Sequence, residues 1–223
     1  MPPLFHSSVT RIFCLALAYF LLARIGLMLA IPPGYATAIW PPSGLAIAAM
    51  LLWGYPMMIG VFLGSLAVNA SIGFAGAQFE LSQLMLPAAI ASGSSLQACV
   101  GKYLIERFCT PPWTFRRLSQ TLLLTGLGGP LASLVSASVG SGSLLLFGLL
   151  QSAAFGGSWF TWWLGDALGV IVFAPLILIY CESPSRVSRR RKLTIALPIL
   201  VVFLCVAYLY NMNKQDVQNH LQE

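Results

Sequence analysis

Arg24 and Asp166 are charged side chains that lie well inside long apolar runs of this 223-residue sequence. If those runs cross a bilayer, an unpaired charge there is costly and usually faces the interior of the helix bundle. Arg24 lies seven residues before the end of run 11–31, and Asp166 lies seven residues after the start of run 159–181. Both would then be about 10 Å below one membrane surface. This matched depth predicts an Arg24–Asp166 ion pair, either a structural link that fixes helix register or part of a functional site.

Other polar or aromatic side chains fall at a similar depth. Ser65 and Asn69 are four residues apart and share one helix face, and Trp162 lies one turn before Asp166 on the same face. We therefore predict a polar layer in one half of the bundle. Its candidate functional or structural residues are Arg24, Trp40, Pro41, Pro42, Ser43, Gly44, Asn69, Trp162 and Asp166.

The segment Trp40-Pro41-Pro42-Ser43-Gly44 has two interpretations. The prolines can open an ordinary helix, since first-turn positions need no N–H, and Trp40 would then lie in the interfacial aromatic belt. Alternatively, the helix proper starts near Ser43, so that 43–55 is only about 20 Å long and too short to cross a membrane alone. Its free N–H groups would then lie below the surface and attract an anion or carboxylate. The sequence favours the first interpretation.

The residue types that catalysis would need are missing from the apolar runs. The two histidines, His6 and His220, lie outside them, so a serine nucleophile would have no base. The HExxH pattern of zinc proteases is absent, and Asp166 has no second carboxylate beside it. The five cysteines form no CxxC pair and are typical of small apolar packing residues. We predict no catalytic site, no metal site and no cofactor.

The composition is that of a membrane protein. Only 8% of the residues are charged and 58% are hydrophobic, whereas a soluble chain carries about 25% charged residues. A soluble fold with so few charges could not cover its own surface. We predict an all-α integral membrane helical bundle that forms one domain, residues 1–211. The expected spans are seven: 11–31, 38–55, 57–75, 82–105, 118–139, 159–181 and 193–211.

The basic residues predict the orientation of this bundle. Nine of the twelve Lys and Arg residues lie in 102–117 and 186–192. Basic links stay in the cytoplasm, which places the N-terminus inside and the polar tail 212–223 outside, as the start of a continuation. The two basic links must then lie on one side, so 144–155 is not a further span and either extends span five or folds as a re-entrant piece. Neither basic segment has the serial aromatic residues of a nucleic-acid site, so the expected partner is the lipid bilayer.

Small residues recur four apart in several of the predicted spans. This spacing lets helices approach closely, and it fits packing within the chain better than a homodimer face or a contact with a partner membrane protein. The helix-packing candidates are Gly60, Gly64, Gly128, Gly165 and Gly169, together with Ala132, Ser136 and Gly140 on the face of Gly128.

Three motifs, taken in order, resemble one family. They are WPPSG at 40–44, GVFLGSLAVN at 60–69 and WWLGDALGVIVFAPL at 162–176. Together they resemble the membrane-associated sensor (MASE) domain, type one, over nearly the whole chain. The resemblance implies a multi-pass sensory domain of the bacterial inner membrane, often with about eight spans. The positions that fall on the family motifs are Trp40, Pro41, Pro42, Gly44, Asn69, Trp162, Gly165, Asp166, Gly169 and Pro175.

The resemblance also implies a signalling role. Such domains are usually fused to a histidine kinase, a diguanylate cyclase or a cyclic-di-GMP phosphodiesterase, so we expect an effector domain in cis or in trans. The alternative is a substrate-binding or transport subunit of the inner membrane. Transporters often show paired broken helices in two related halves, and the segment at 40–44 has no clear counterpart in the second half of the chain.

Overall fold

The computed structural model describes residues 7–27, 30–31, 36–37, 39–73, 81–109, 111 and 118–182. Two short strands, β1 (Ala30–Ile31) and β2 (Ala36–Thr37), pair antiparallel between the first two helices. Single 3₁₀ turns, Leu81–Leu84 and Ser152–Ala154, precede two of the helices. The helices within the described residues are α1 (Ser8–Gly26), α2 (Pro41–Trp53), α3 (Met57–Gly73), α4 (Met85–Phe108), α5 (Leu118–Gly126), α6 (Ala132–Leu146) and α7 (Phe155–Glu182).

The predicted helical membrane bundle is confirmed in its class, apart from the two-residue strand pair. By length and composition, three stretches of described helix could cross a membrane: Ser8–Gly26, Ser119–Leu146 and Ser152–Cys181. Pro41–Trp53 and Met57–Ile72 are apolar but shorter. The predicted span 193–211, the basic segment 186–192 and the tail 212–223 lie outside the described residues. The total of seven spans and the orientation therefore stay predictions.

Helix α2 is the centre of the bundle. It packs on α7, α4, α1 and α3, and ten of its 13 residues are buried. Ile47 and Met50 are fully enclosed. A helix that is apolar on every side must be buried on every side. The outer helices follow one another around it, because α1 packs on α3, α3 on α4, α4 on α6, and α6 on α7.

Local sequence explains why α2 is short. Pro41 and Pro42 occupy its first two positions, so two of the unpaired N–H groups of a helix start do not exist. Gly54 ends the helix with a φ of 85°, a left-handed conformation that favours glycine. Thirteen residues make a helix of about 20 Å, well short of the predicted span 38–55. In the structure the helix begins at Pro41, as the favoured interpretation expected. It is nevertheless too short to cross a membrane alone.

The beginning of α2 is held in a glycine notch on α7. The Trp40 amide donates to the Gly165 carbonyl at 2.9 Å. A Cβ atom at Gly165 would overlap the carbonyl oxygen of Thr37, and one at Gly169 would overlap that of Trp40. The two glycines four residues apart therefore admit an extended backbone segment and a helix start rather than the side of a second helix.

The other glycine pairs face neighbouring helices of the same chain. A Cβ atom at Gly60 would lie 2.8 Å from the Ile12 carbonyl oxygen, and one at Gly64 would lie 2.8 Å from the Ala16 carbonyl oxygen. Both glycines therefore line the contact between α3 and α1. Gly128 lies against Ile105 of α4. These glycine faces are covered within the chain itself.

Helices α5 and α6 form one continuous rod with a π-helical segment, Leu127–Leu131, at its centre. Pro130 lies in this segment and has no N–H to donate, and such bulges kink a helix. The Pro130 carbonyl accepts a bond from the Trp163 indole at 2.7 Å. The rod runs to Leu146, and a turn with Gly148 at a φ of 73° follows. Residues 144–146 thus extend span five, and the remainder of 144–155 forms the turn and the start of α7.

We predict that Gly169→Ala strongly disrupts the bundle, whereas Gly142→Ala does not. The methyl group at 169 would collide with the Trp40 backbone, whereas nothing lies within 4 Å of a Cβ atom at Gly142. Both positions are helical, so alanine by itself would favour the helix by about 1 kcal/mol at either. Thermal unfolding of the purified variants in detergent measures the difference. Equal melting temperatures for the two variants would contradict the close contact between Gly169 and the Trp40 backbone.

Candidate functional site

A polar cavity of about 20 Å³ lies beside the start of α2. This space holds about one water molecule. The walls come from α1, α3, α4, α7 and the segment that leads into α2. Because α2 begins well inside the bundle, the helices around it extend past its first turn and enclose this space. The polar and aromatic residues of the wall are Tyr19, Thr37, Trp40, Ser65, Asn69, Ser94, Trp162 and Asp166.

Asp166 is the charged residue of the cavity wall. Asp166 is 3% exposed. Its Oδ2 accepts a hydrogen bond from the Ser136 hydroxyl of α6. Ser43 Oγ lies 2.9 Å from the Asp166 carbonyl oxygen and 2.8 Å from that of Trp40. The positive end of the α2 dipole therefore lies beside the buried acid, where it stabilises negative charge.

A hydroxyl and amide network forms the opposite wall. Ser65 and Ser94 share a hydrogen bond of 3.2 Å that joins α3 to α4. The Asn69 amide donates to the Ser65 carbonyl at 2.9 Å, which fixes its orientation. Tyr19 is fully enclosed, and its hydroxyl interacts with Ser94, Ser65 and Trp40. Each of these hydroxyl oxygens keeps acceptor lone pairs.

Arg24 does not pair with Asp166, which corrects the sequence prediction. Helix α1 ends at Gly26, so Arg24 lies in its last turn, while Asp166 lies eleven residues after the start of α7 at Phe155. The two depths differ because α1 is shorter, and α7 begins earlier, than the apolar runs suggested. Arg24 is exposed, its guanidinium lies 3.4 Å from the Ser71 hydroxyl, and its charge is favourable at a helix C-terminus.

The sequence model of one family, MASE1, matches residues 11–212, which is most of the chain. The chain belongs to the MASE1 family. MASE1 domains are membrane-associated sensory domains, so the resemblance seen in the sequence is confirmed. No curated protein and no solved structure matches the chain significantly.

Four of the predicted residues line the cavity of this MASE1 domain: Trp40, Asn69, Trp162 and Asp166. Residues 41–44 form the adjoining first turn of α2. Gly44 contacts α7, where a Cβ atom would lie 2.7 Å from Phe173 Cβ. Arg24 is the predicted residue that lies elsewhere.

Three polar residues of the wall were not predicted from the sequence: Tyr19, Thr37 and Ser94. Ser94 carried a signal that could have been used, since it lies in the polar run Ser-Gly-Ser-Ser inside an apolar helix. Tyr19 carried a weaker one, because a tyrosine near the middle of a span must find a partner for its hydroxyl. Thr37 lies before α2, and nothing in its local sequence indicated the contact.

The chemistry of the wall suits binding better than catalysis. In the described residues no group of three His, Cys, Asp or Glu side chains could hold a metal ion. The cavity instead combines one carboxylate with neutral hydroxyl and amide groups, and with two indole rings. Such a set of groups has the hydrogen-bonding capacity to contact a small polar or cationic molecule.

A double-mutant cycle distinguishes the two possible partners of Asp166. We expect Ser136→Ala and Asp166→Asn to be coupled by about 1–3 kcal/mol, because each removes the same buried hydrogen bond. Arg24→Ala and Asp166→Asn should be additive within about 0.5 kcal/mol, since the groups do not touch. The free energy of unfolding in mild detergent is the quantity to measure. A coupling above about 1 kcal/mol for the Arg24 pair would restore the predicted ion pair.

Proposed function

We propose that this MASE1 domain is the input module of a bacterial signalling protein and that its stimulus acts at the polar cavity. The observation that carries the proposal is the buried Asp166 carboxylate, which forms part of the cavity wall at the start of α2. A buried acid in a membrane bundle is costly and marks a functional position more often than a structural one. The sensory role follows from family membership, and the cavity is the proposed site at which the stimulus acts.

Helix α7 is the element suited to carry the signal. It contributes Trp162 and Asp166 to the cavity and continues without interruption to Glu182. From Asp166 to Glu182 the helix runs 16 further residues, about 24 Å, from the cavity toward the far end of the bundle. A ligand that prefers one packing of α7 against α2 would shift the population of the two packings.

The output that we propose is cytoplasmic. It is a histidine kinase or a cyclic-di-GMP synthesis or degradation domain, acting in trans or joined in cis beyond residue 223. Because seven spans with a cytoplasmic N-terminus place residue 223 outside, the cis arrangement requires a further span between residue 223 and that domain. The coding region downstream of residue 223 tests the cis arrangement directly, because an open frame that continues into such a domain would establish it. A substrate-binding or transport subunit is the alternative, and uptake assays distinguish it.

We further propose that the bundle lies in the bacterial inner membrane with seven spans and a cytoplasmic N-terminus. The guanidinium of Arg11 lies 5.9 Å from the Trp53 ring, and the Lys102 ammonium lies 5.1 Å from the Tyr55 ring. These two basic residues therefore lie at the end of the bundle where α2 ends and α3 begins. Positive charge favours the cytoplasmic surface, which supports this orientation.

In cells that carry the complete gene product, we expect Asp166→Asn to change signalling output at an unchanged protein level. The substitution removes the charge from the cavity wall and keeps the size of the side chain. Glu106→Gln is the matched control, because Glu106 is an exposed carboxylate at the end of α4. Kinase autophosphorylation or the cyclic-di-GMP level is the readout. If the folded Asp166→Asn protein signals as the unmodified protein does, the cavity is not the sensing site.

Thiol labelling tests the orientation. We expect Gln151→Cys, at the exposed turn before α7, to react with a membrane-impermeant maleimide added to intact spheroplasts. Tyr55→Cys, at the opposite end, should react only after the membrane is permeabilised, because that end faces the cytoplasm. The unmodified chain serves as the control for its native cysteines. Labelling in the reverse pattern would invert the proposed topology.

A further inference from the structure

No cationic side chain pairs with the Asp166 carboxylate in the described part of the chain. The ion pair found there joins Lys102 to Glu106 at the end of α4, and no described Lys, Arg or His lies within 4.0 Å of the Asp166 carboxylate. Ser136 and the α2 dipole offer only partial positive charge. A carboxylate buried in this way is costly to ionise unless a counter-charge lies beside it. The adjoining cavity is where that counter-charge would fit.

The cavity presents oxygen atoms from several elements toward one small space. Hydroxyl oxygens come from Tyr19 of α1, Ser65 of α3 and Ser94 of α4, and the Asn69 side chain and the Asp166 carboxylate complete the wall. The Asn69 nitrogen already donates within α3, to the Ser65 carbonyl, and its oxygen stays an acceptor. Oxygen ligands of this kind suit hard cations.

Size and charge together select the class of cation. A volume of about 20 Å³ admits one ion of about the size of a water molecule and excludes organic amines. Calcium takes six to eight oxygen ligands, usually from several carboxylates, whereas the described residues of this wall include one carboxylate. Transition metals prefer imidazole or thiolate, and no histidine or cysteine is among the described wall residues. A single positive charge balances a single negative charge.

We propose that the cavity binds one monovalent inorganic cation, sodium, potassium or ammonium, with Asp166 as its charged ligand. This inference rests on the proposed function, since it names the ligand class of the same site. The indole rings of Trp40 and Trp162 also line the space, and aromatic rings attract cations. A bound ion would link Asp166 of α7 to the oxygens of α1, α3 and α4, and would thereby favour one packing of the bundle.

The test uses the purified full chain in lipid nanodiscs at a fixed pH. Sodium, potassium or ammonium chloride replaces N-methylglucamine chloride at constant ionic strength, while tryptophan fluorescence and the melting temperature are followed. We expect at least one of the three salts to give a saturable rise in melting temperature, because a ligand of the folded state stabilises it. The response should be lost in Asp166→Asn and kept in Glu106→Gln. The large organic cation should have no effect.

Tyr19→Phe is a second variant that removes a single oxygen from the wall and keeps the ring that fills the core. We expect it to raise the half-saturating salt concentration about tenfold, as the loss of one ligand to a charged group does. Tyr19→Phe still tests the cation site if Asp166→Asn fails to fold. An unchanged half-saturating concentration in Tyr19→Phe, or an undiminished response in folded Asp166→Asn, would overturn the cation site. So would the absence of any response beyond that of N-methylglucamine.

The signalling assay separates this inference from the proposed function. If Asp166→Asn alters output but none of the three cations binds, the cation inference fails and the sensory site stands. If a cation binds through Asp166 but neither that cation nor the substitution changes output, the cation site stands and the sensory proposal fails. Binding together with a cation-dependent output supports both.

Discussion

The first turn of α2 against the glycine notch of α7 is the contact on which the rest of the bundle depends. A helix start buried in a membrane would normally expose unpaired N–H groups to hydrocarbon, which is costly. Here Pro41 and Pro42 remove two of those donors, and the Trp40 amide reaches the Gly165 carbonyl. The absence of side chains at Gly165 and Gly169 makes room for the Trp40 backbone. A helix can therefore begin inside the bundle with few orphaned polar groups.

A short central helix has a direct consequence for the site. Helix α2 is only about 20 Å long. The longer helices around it extend beyond its first turn and would otherwise enclose an empty apolar space there. Hydroxyl and amide groups from α1, α3 and α4 line this space instead, and α7 adds Asp166. The position of the buried acid beside the α2 dipole, and the cavity itself, thus both result from the short length of α2. The WPPSG segment, the Asn69 face and the Asp166 face therefore lie around one space.

Arg24 shows the limit of depth estimates made from apolar runs. The run 11–31 ended five residues after α1, which ends at Gly26, and the run 159–181 began four residues after α7 does. Both errors have the same origin, because hydropathy averages over residues and does not detect where hydrogen bonding ends. Two residues at equal predicted depth therefore lie at different depths in the structure, and an exposed arginine in a final helical turn needs no acidic partner.

Composition, apolar runs and local motifs were enough to establish the membrane setting, the helical class and the family. These depend on composition, on apolar run length and on residues that are close in sequence, such as 40–44 and 162–166. Which side chains meet depends instead on the tertiary structure. Ser136, 30 positions away from Asp166, is its partner rather than Arg24, and Tyr19, Thr37 and Ser94 complete a cavity that no local pattern describes. Helix ends and the contacts between crossing helices set these distances, and both depend on packing between elements that are distant in sequence.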